Sequence, residues 1–308
     1  MPLAVALTHA LSLLILLGLA SGCQSGSSST NSASASTHST PTALAAPSAV
    51  AGTPAAPTSS AAVLRASLST GELYVPARYT PSGNQVDLFF HFHGYGPVVE
   101  REFDAAGIAA ALVIVNYNGF SSAYSGPFQD AGLLQSIIDE ALPAVGAARG
   151  VASPRLGALV LCSFSAGYGA TREVLMSGRY DSSVSEVLLA DSLHSGYVGG
   201  APNPSQMQPF VDFALRASVG LDHRLALSHS SIVPPGYAST TETADALITA
   251  LGLSRQSEVA TNAQGMQQLN RARLGHFSVR GYSGQTAADH SDHLQHISLL
   301  LKESSLAR

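Results

Sequence analysis

Residues 156–170 read LGALVLCSFSAGYGA, and this stretch decides the fold that the sequence predicts. Its first seven residues form a continuous apolar run, which is typical of a strand buried on both faces of a parallel sheet. The run enters a turn of small residues directly, and a helical pattern follows. Ser163 and Gly167, two positions on either side of Ser165, allow the close backbone approach that a sharp strand-to-helix turn needs. The stretch predicts a serine exposed at the end of a central strand.

The same alternation of strand and helix continues on both sides of this stretch. Short apolar runs predict strands over 72–76, 86–91, 111–117, 156–162, 184–191, 224–229 and 277–282. Helical patterns fall over 98–106, 128–145, 166–177, 205–217, 240–251 and 292–302. This order predicts a mainly parallel α/β sheet flanked by helices, with ligands bound at the carboxyl ends of the strands. Residues 193–218 are expected to form a small cap.

The turn itself carries a family resemblance. Ser163-Phe164-Ser165-Ala166-Gly167 resembles the nucleophile elbow of the α/β-hydrolase superfamily, G-x-S-x-G, with serine in place of the first glycine. The resemblance follows the element order over about residues 70–303. It implies an α/β-hydrolase fold, a nucleophilic Ser165, and an oxyanion that accepts a hydrogen bond from the backbone N–H of Ala166. The alternative is an ordinary loop with a helix cap.

A second glycine-bearing loop precedes the elbow by about 70 residues. His93-Gly94-Tyr95-Gly96 follows a predicted strand and resembles the H-G-x-G oxyanion loop of the same superfamily. The resemblance implies that the N–H of Tyr95 is the second oxyanion donor and that His93 orients the loop. The alternative takes His91 and His93 as a metal-binding pair, but an eight-stranded barrel fits this sequence poorly.

The general base is expected after the last predicted strand, where residues 283–296 read SGQTAADHSDHLQH. The family order along the chain is nucleophile, acid, histidine. The resemblance implies His293, at the predicted start of the final helix, as the base. His290 and His296 stay open as alternatives. Their three-residue spacing could also place all three on one helix face as a metal site, but clear partner carboxylates are missing, so no metal is expected.

The third member of the triad has two candidates. Asp191 ends a predicted strand between the serine and the histidine, where a carboxylate could hold the imidazole in one tautomer. Glu242 follows the next strand, at the position where most of the superfamily places the acid. Ser239 precedes Glu242 by three residues, which is the spacing of a helix capping box, so Glu242 also has a structural interpretation.

The amino-terminal part of the chain differs in composition. Residues 3–20 are almost wholly apolar, and Ala20-Ser21-Gly22-Cys23 resembles a bacterial lipobox. Residues 1–22 are therefore expected to be a lipoprotein-type signal, with Cys23 as the lipidation site. Cleaved secretion and an uncleaved helix are alternatives, because no Lys or Arg precedes the apolar run. Residues 23–62 are an uncharged Ser/Ala/Thr/Pro tether, and 63–308 form the hydrolase domain.

Charge and cysteine content exclude several classes of function. The net charge is −5 with no block of Lys or Arg, which argues against a nucleic-acid surface. Two cysteines in unlike contexts predict neither a disulfide scaffold nor a zinc site. The sequence therefore predicts an exported serine hydrolase, a carboxylesterase or a deacetylase, that acts on a small-molecule or polymer ester without a cofactor. The alternative is a non-enzymatic binding protein tethered to the cell envelope. No pattern indicates an oligomeric state.

Overall fold

The computed structural model describes residues 62–220 and 222–308. The predicted signal, Cys23 and the tether up to residue 61 lie outside the described residues. Within the described part, none of the helices combines the length and the apolar character that a membrane crossing requires.

The described residues form a ten-stranded sheet and a separate two-stranded hairpin. The strands are β1 Leu64–Ser67, β2 Glu72–Val75, β3 Gln85–Phe92, β4 Ala111–Val115, β5 Arg155–Phe164, β6 Val184–Ala190, β7 Tyr197–Val198, β8 Ala201–Pro202, β9 Arg224–His229, β10 Gln256–Thr261, β11 Gln267–Leu274 and β12 Phe277–Tyr282. The order in the large sheet is β1-β2-β4-β3-β5-β6-β9-β12-β11-β10. The six strands from β4 to β12 in that order are parallel, and antiparallel strands extend the sheet at both edges.

Helices cover both faces of this sheet. They are α1 Gly96–Ala105, α2 Ser121–Phe128, α3 Leu133–Arg149, α4 Tyr168–Met176, α5 Pro204–Val219, α6 Thr240–Ala250, α7 Ala287–Gln295 and α8 Ser298–Leu301. Buried side chains of α2 to α6 belong to one apolar cluster with one face of the sheet. Side chains of α1, α7 and α8 belong to a second cluster on the other face. The central strands are apolar on both faces because both faces are covered.

The structure departs from the sequence prediction in the expected cap and at one edge of the sheet. Residues 193–218 are not a cap, because α5 buries Phe210 and Phe213 in the main core and connects β6 to β9 as an ordinary crossover helix. The hairpin of β10 and β11 was not predicted. These two strands are mostly exposed and polar, so they lack the apolar run by which a buried strand is recognised.

Candidate active site

The backbone turns sharply at Ser165. Strand β5 ends at Phe164, a short 3-10 helix covers Ser165–Gly167, and α4 follows at once. Ser165 has a φ of +47°, which L-residues other than asparagine and aspartate rarely adopt. A Cβ at Gly167 would lie 2.1 Å from the carbonyl oxygen of Phe92, so this position requires glycine. The predicted elbow is present.

Ser163, where the family motif has glycine, takes part in a chain of hydrogen bonds. The Ser163 hydroxyl lies 2.9 Å from the Ser192 hydroxyl, and Ser192 Oγ donates to the carbonyl oxygen of Ser165 at 2.7 Å. Because the Ser192 proton is used on that carbonyl, Ser163 donates to Ser192. Both hydroxyl groups are buried. The serine in place of glycine thus helps to tie the strained elbow to the loop after β6.

Replacing Ser192 by alanine is expected to lower the free energy of unfolding by about 1–3 kcal/mol, since the half-buried Ser165 carbonyl and the buried Ser163 hydroxyl both lose this partner. Urea unfolding of the full chain measures the change. Ser185→Ala is the matched control: Ser185 Oγ, half-buried in β6, bonds the Leu159 carbonyl at 3.3 Å near the other end of the same strand pair. A Ser192 variant no less stable than the Ser185 variant would contradict this account.

Three side chains meet in front of the elbow. His290 Nε2 lies 2.8 Å from Ser165 Oγ, and His290 Nδ1 lies 2.7 Å from Asp191 Oδ2. An ionised Asp191 carboxylate can only accept hydrogen bonds, so His290 Nδ1 carries the hydrogen and donates it to Oδ2, and Nε2 faces the serine with its lone pair. The structure therefore brings Ser165 and Asp191 together with His290.

Asp191 lies directly after β6 with a φ of +40°. Its other oxygen, Oδ1, accepts from the Ser230 N–H at 2.9 Å and from the Thr240 hydroxyl at 2.7 Å. Burial by itself would raise the pKa of Asp191, but the hydrogen bond from His290 and the nearby histidines act in the opposite direction and hold that pKa well below its ordinary value. The carboxylate is ionised at neutral pH.

His293 does not occupy the position that the sequence predicted. It is buried, its Nδ1 bonds the Ser228 hydroxyl at 2.9 Å, and its ring packs edge-on against Tyr282. The final helix was expected to begin at Asp292, but α7 begins at Ala287, so His290 falls in its first turn. His296 is the C-cap residue of α7.

The missed signal is a capping box. The Thr286 hydroxyl accepts from the Asp289 N–H, and the Asp289 carboxylate accepts from the Thr286 N–H. The spacing Thr-x-x-Asp is visible in the sequence and would have moved the helix start by five residues. The geometry thus corrects the candidate base from His293 to its alternative His290.

Glu242 has the helix-capping role that its spacing from Ser239 predicts, and it is not part of the group formed by Ser165, His290 and Asp191. It forms a capping box with Ser239 at the start of α6, and Tyr197 Oη donates to its carboxylate at 3.0 Å. The hydrogen bonds from Ser239 are the main cause of a lowered pKa of Glu242.

The predicted oxyanion loop lies beside the elbow. His93 and Gly94 have φ values of +71° and +128°, and Tyr95 is the N-cap residue of α1. His91 Nε2 donates to the His93 carbonyl oxygen at 2.8 Å, and this bond restrains the loop. The His93 ring stacks on Phe164 with 5.7 Å between centroids. Ala166 follows Ser165 in the 3-10 helix.

The histidines of this region have separate protein partners. Residues 62–220 and 222–308 contain no cluster of three His, Cys, Asp or Glu side chains arranged to hold a metal ion. His229, at the end of β9, accepts from Arg255 at 2.9 Å and donates from Nδ1 to the Ser230 carbonyl oxygen. Burial first, and the Arg255 guanidinium second, lower the pKa of His229.

The buried histidines predict a loss of stability in acid. Burial is the main reason that the pKa values of His91, His93 and His229 are lowered to about 4. In the unfolded chain these groups titrate near the ordinary value of about 6.5, so the unfolded state binds more protons between about pH 6.5 and 4. Each histidine should lower the free energy of unfolding by up to about 1.4 kcal/mol per pH unit across that window.

Urea unfolding between pH 7.5 and 4.5 measures this dependence. A His91→Gln variant, which can still donate to the His93 carbonyl oxygen, should show a shallower slope than the wild type. Equal stability at pH 7 and pH 4.5 would show that these three histidines are not held neutral.

The three side chains occur in the chain order serine, aspartate, histidine, after β5, β6 and β12 of a mainly parallel sheet. The chain order is that of the family that the elbow resembles, while the acid follows β6, one strand earlier than in most of that family. The fold is that of the α/β-hydrolases. In this α/β-hydrolase sheet, Ser165 stands at the carboxyl end of a central strand, between neighbours on both sides.

Comparisons with known proteins find similarity in structure. No protein-family model matches the sequence, and no curated protein matches it. A cold-adapted esterase from an Arctic intertidal metagenomic library is 14% identical, with a TM-score of 0.37 over 75% of this chain and 87% of that one. A feruloyl esterase module from Clostridium thermocellum is 14% identical, with a TM-score of 0.40 over 80% and 91%. A haloalkane dehalogenase from Bradyrhizobium elkani is 10% identical, with a TM-score of 0.41 over 80% and 98%.

Proposed function

We propose that this protein is a serine hydrolase that cleaves carboxylic esters, including acetyl esters, through an acyl-enzyme on Ser165. The observation that carries the proposal is the continuous hydrogen-bonded chain from Ser165 Oγ through both nitrogens of His290 to Asp191. A serine, a histidine and a carboxylate within bonding distance form the arrangement that activates a serine hydroxyl. The left-handed backbone of Ser165 at the elbow also supports a role in catalysis.

The geometry supports the following sequence of proton transfers. His290 Nε2 takes the Ser165 proton while Oγ attacks the ester carbonyl carbon, and the carbonyl electron pair moves to oxygen. The N–H groups of Ala166 and Tyr95 are the proposed donors to this oxyanion. His290 then passes its proton to the leaving alcohol oxygen as the C–O bond breaks. Asp191 stays ionised and holds Nδ1–H throughout.

Hydrolysis of the acyl-enzyme repeats these steps with water. His290 removes a proton from the water, the oxygen attacks the acyl carbon, and the proton returns to Ser165 Oγ as the carboxylic acid leaves. Every reacting group in the cycle belongs to the chain, to the ester or to water, so the reaction balances without a cofactor.

Labelling of the full chain with a fluorophosphonate tests this function. The wild type should be labelled on the peptide that contains Ser165, and Ser165→Ala should abolish labelling. Ser122→Ala, which changes an exposed serine in α2, is the control and should label like the wild type. A folded wild type without label would instead favour the non-enzymatic binding protein.

We also propose that the chain is exported and anchored to the cell envelope through lipid on Cys23. The apolar run over 3–20 and the Ala20-Ser21-Gly22-Cys23 sequence support this proposal. Mass spectrometry of the mature amino terminus tests it. An N-terminal acylated Cys23, lost in Cys23→Ala, is expected, whereas a free terminus elsewhere would indicate cleaved secretion.

A further inference from the structure

The exposed aromatic side chains of this protein lie at one edge of the sheet. Among the aromatic residues in 62–220 and 222–308, the exposed ones are Tyr95, Tyr117, Phe120, Tyr197 and Tyr237. Each lies in the segment after the carboxyl end of a parallel strand, Tyr197 in the short strand β7 and the others in loops, at the edge that carries Ser165. Phe120 is 85% exposed and Tyr95 is 67% exposed. Because the exposed aromatic rings are confined to this one edge, they indicate a binding surface there.

These rings form two groups, one on each side of Ser165. The first bank consists of the loops 93–95 and 116–120, which follow β3 and β4. The second bank consists of the loops 191–203 and 230–239, which follow β6 and β9. Because β5 lies between β3 and β6 in the sheet, the nucleophile stands between the banks.

Each bank is held together by its own hydrogen bonds. In the first bank, Tyr124 Oη accepts from the Tyr117 N–H at 3.1 Å and from His93 Nδ1 at 2.7 Å, and donates to Asn116. In the second bank, the Ala238 N–H donates to the Ser195 carbonyl oxygen at 2.8 Å, and His194 Nδ1 donates to the Ala238 carbonyl oxygen at 3.0 Å. Preformed surfaces of this kind lose little conformational entropy on binding.

The two banks are almost free of charge. Their four loops contain no Lys or Arg, and Asp191, buried and bonded to His290, is their single acidic residue. Burial is the main cause of lowered pKa values for His93 and His194, so both rings are neutral at pH 7. The nearby Glu242 carboxylate is already bonded to Ser239 and Tyr197. A charged substrate would lose water here without gaining an opposite charge.

We propose that the substrate is a neutral ester with an apolar group on each side of the ester bond, one group packed on each bank. The proposal rests on the proposed ester hydrolysis at Ser165 and adds the class of substrate. Exposed rings on both sides of the nucleophile provide apolar area for the acyl group and for the alcohol group. The four segments contribute no free cation, and their single carboxylate is buried, so the banks themselves favour a neutral substrate over an anionic or a cationic one.

Two series of esters test this with the full chain. One series lengthens the acyl group from acetyl to hexanoyl on a fixed alcohol, and the other enlarges an apolar alcohol on a fixed acetyl group. In both series kcat/KM should rise by about tenfold or more from the smallest to the largest member, because apolar area is buried. A choline ester and a succinate monoester, which carry a positive and a negative charge, should fall about tenfold below neutral esters of similar size.

Variants of the banks make the test specific. Phe120→Ala should weaken the dependence of kcat/KM on group size in one series. Tyr237→Ala should weaken it in the other series. Each variant should raise KM more than it lowers kcat. Val259→Ala, which changes a 68% exposed valine on the distant β10, is the matched control and should leave both series unchanged.

The outcomes separate this inference from the function on which it rests. The substrate class is wrong if the wild type reacts with fluorophosphonate but shows no size dependence or hydrolyses charged esters equally well. It is also wrong if Phe120→Ala and Tyr237→Ala both weaken the size dependence of the same series. If the wild type does not react at all, the hydrolase proposal fails first.

Discussion

Replacing His290 by alanine should lower kcat for ester hydrolysis by about 10,000-fold, because the hydroxyl of Ser165 loses its proposed general base. KM should change little, since His290 contributes to the transition state more than to substrate binding. Steady-state hydrolysis of a neutral ester measures both kcat and KM. The rate of fluorophosphonate labelling measures the activation of Ser165 independently. Ser165→Ala should be equally inactive, and the double variant should be no worse than either single variant.

His293→Ala is the matched control for this prediction, because it removes the same side chain one helical turn away. His293 bonds Ser228 and contacts Tyr282 behind the site, so its loss should reduce thermal stability and leave kcat within about tenfold of the wild type. The opposite pattern, with activity lost in His293→Ala and kept in His290→Ala, would restore the assignment that the sequence favoured.

Replacing Asp191 by asparagine should lower kcat by about 1,000-fold or more, through the tautomer of His290. Oδ1 of Asp191 accepts from the Ser230 N–H and the Thr240 hydroxyl, so the amide oxygen of asparagine would occupy that place. The amide NH₂ would then face His290 Nδ1 as a donor. His290 would carry its proton on Nε2, towards Ser165, and could not accept the serine proton.

Glu242→Gln is the control, because it changes the second candidate acid in the same conservative way. The capping box at Ser239 would be weakened, which should lower the free energy of unfolding by about 0.5–1 kcal/mol without changing kcat. Hydrolysis rates and urea unfolding of both variants settle the comparison. A Glu242→Gln enzyme that is inactive beside an active Asp191→Asn enzyme would overturn this assignment.

Much of the fold could be predicted because its central strands are unusual in composition. Strands such as β4 and β5 are buried on both faces, so they appear in the sequence as continuous apolar runs. Ser165 and Asp191 could be predicted for the same reason, since each comes directly at the end of such a run. Strands β10 and β11 at the sheet edge have little burial, and their pairing depends on neighbours that the local sequence does not show.

The candidate base differs between sequence and structure because two histidines three residues apart differ mainly in the direction in which the helix points them. His290 and His293 have the same chemistry and nearly the same place in the chain, and the start of α7 decides which one faces Asp191. A capping box at Thr286 sets that start. The local pattern was readable, but its consequence at Asp191, 99 residues away in the chain, was not.

The sequence by itself determined the α/β alternation, the elbow at Ser165 and the strand end at Asp191, because buried strands and tight turns impose their requirements on neighbouring residues. Only the tertiary structure decided which histidine joins them, that Ser163 and Ser192 hold the elbow, and that the exposed rings gather into two banks around it. Those features depend on contacts between segments far apart in the chain, whose distances follow from the packing of the whole sheet and not from any local pattern.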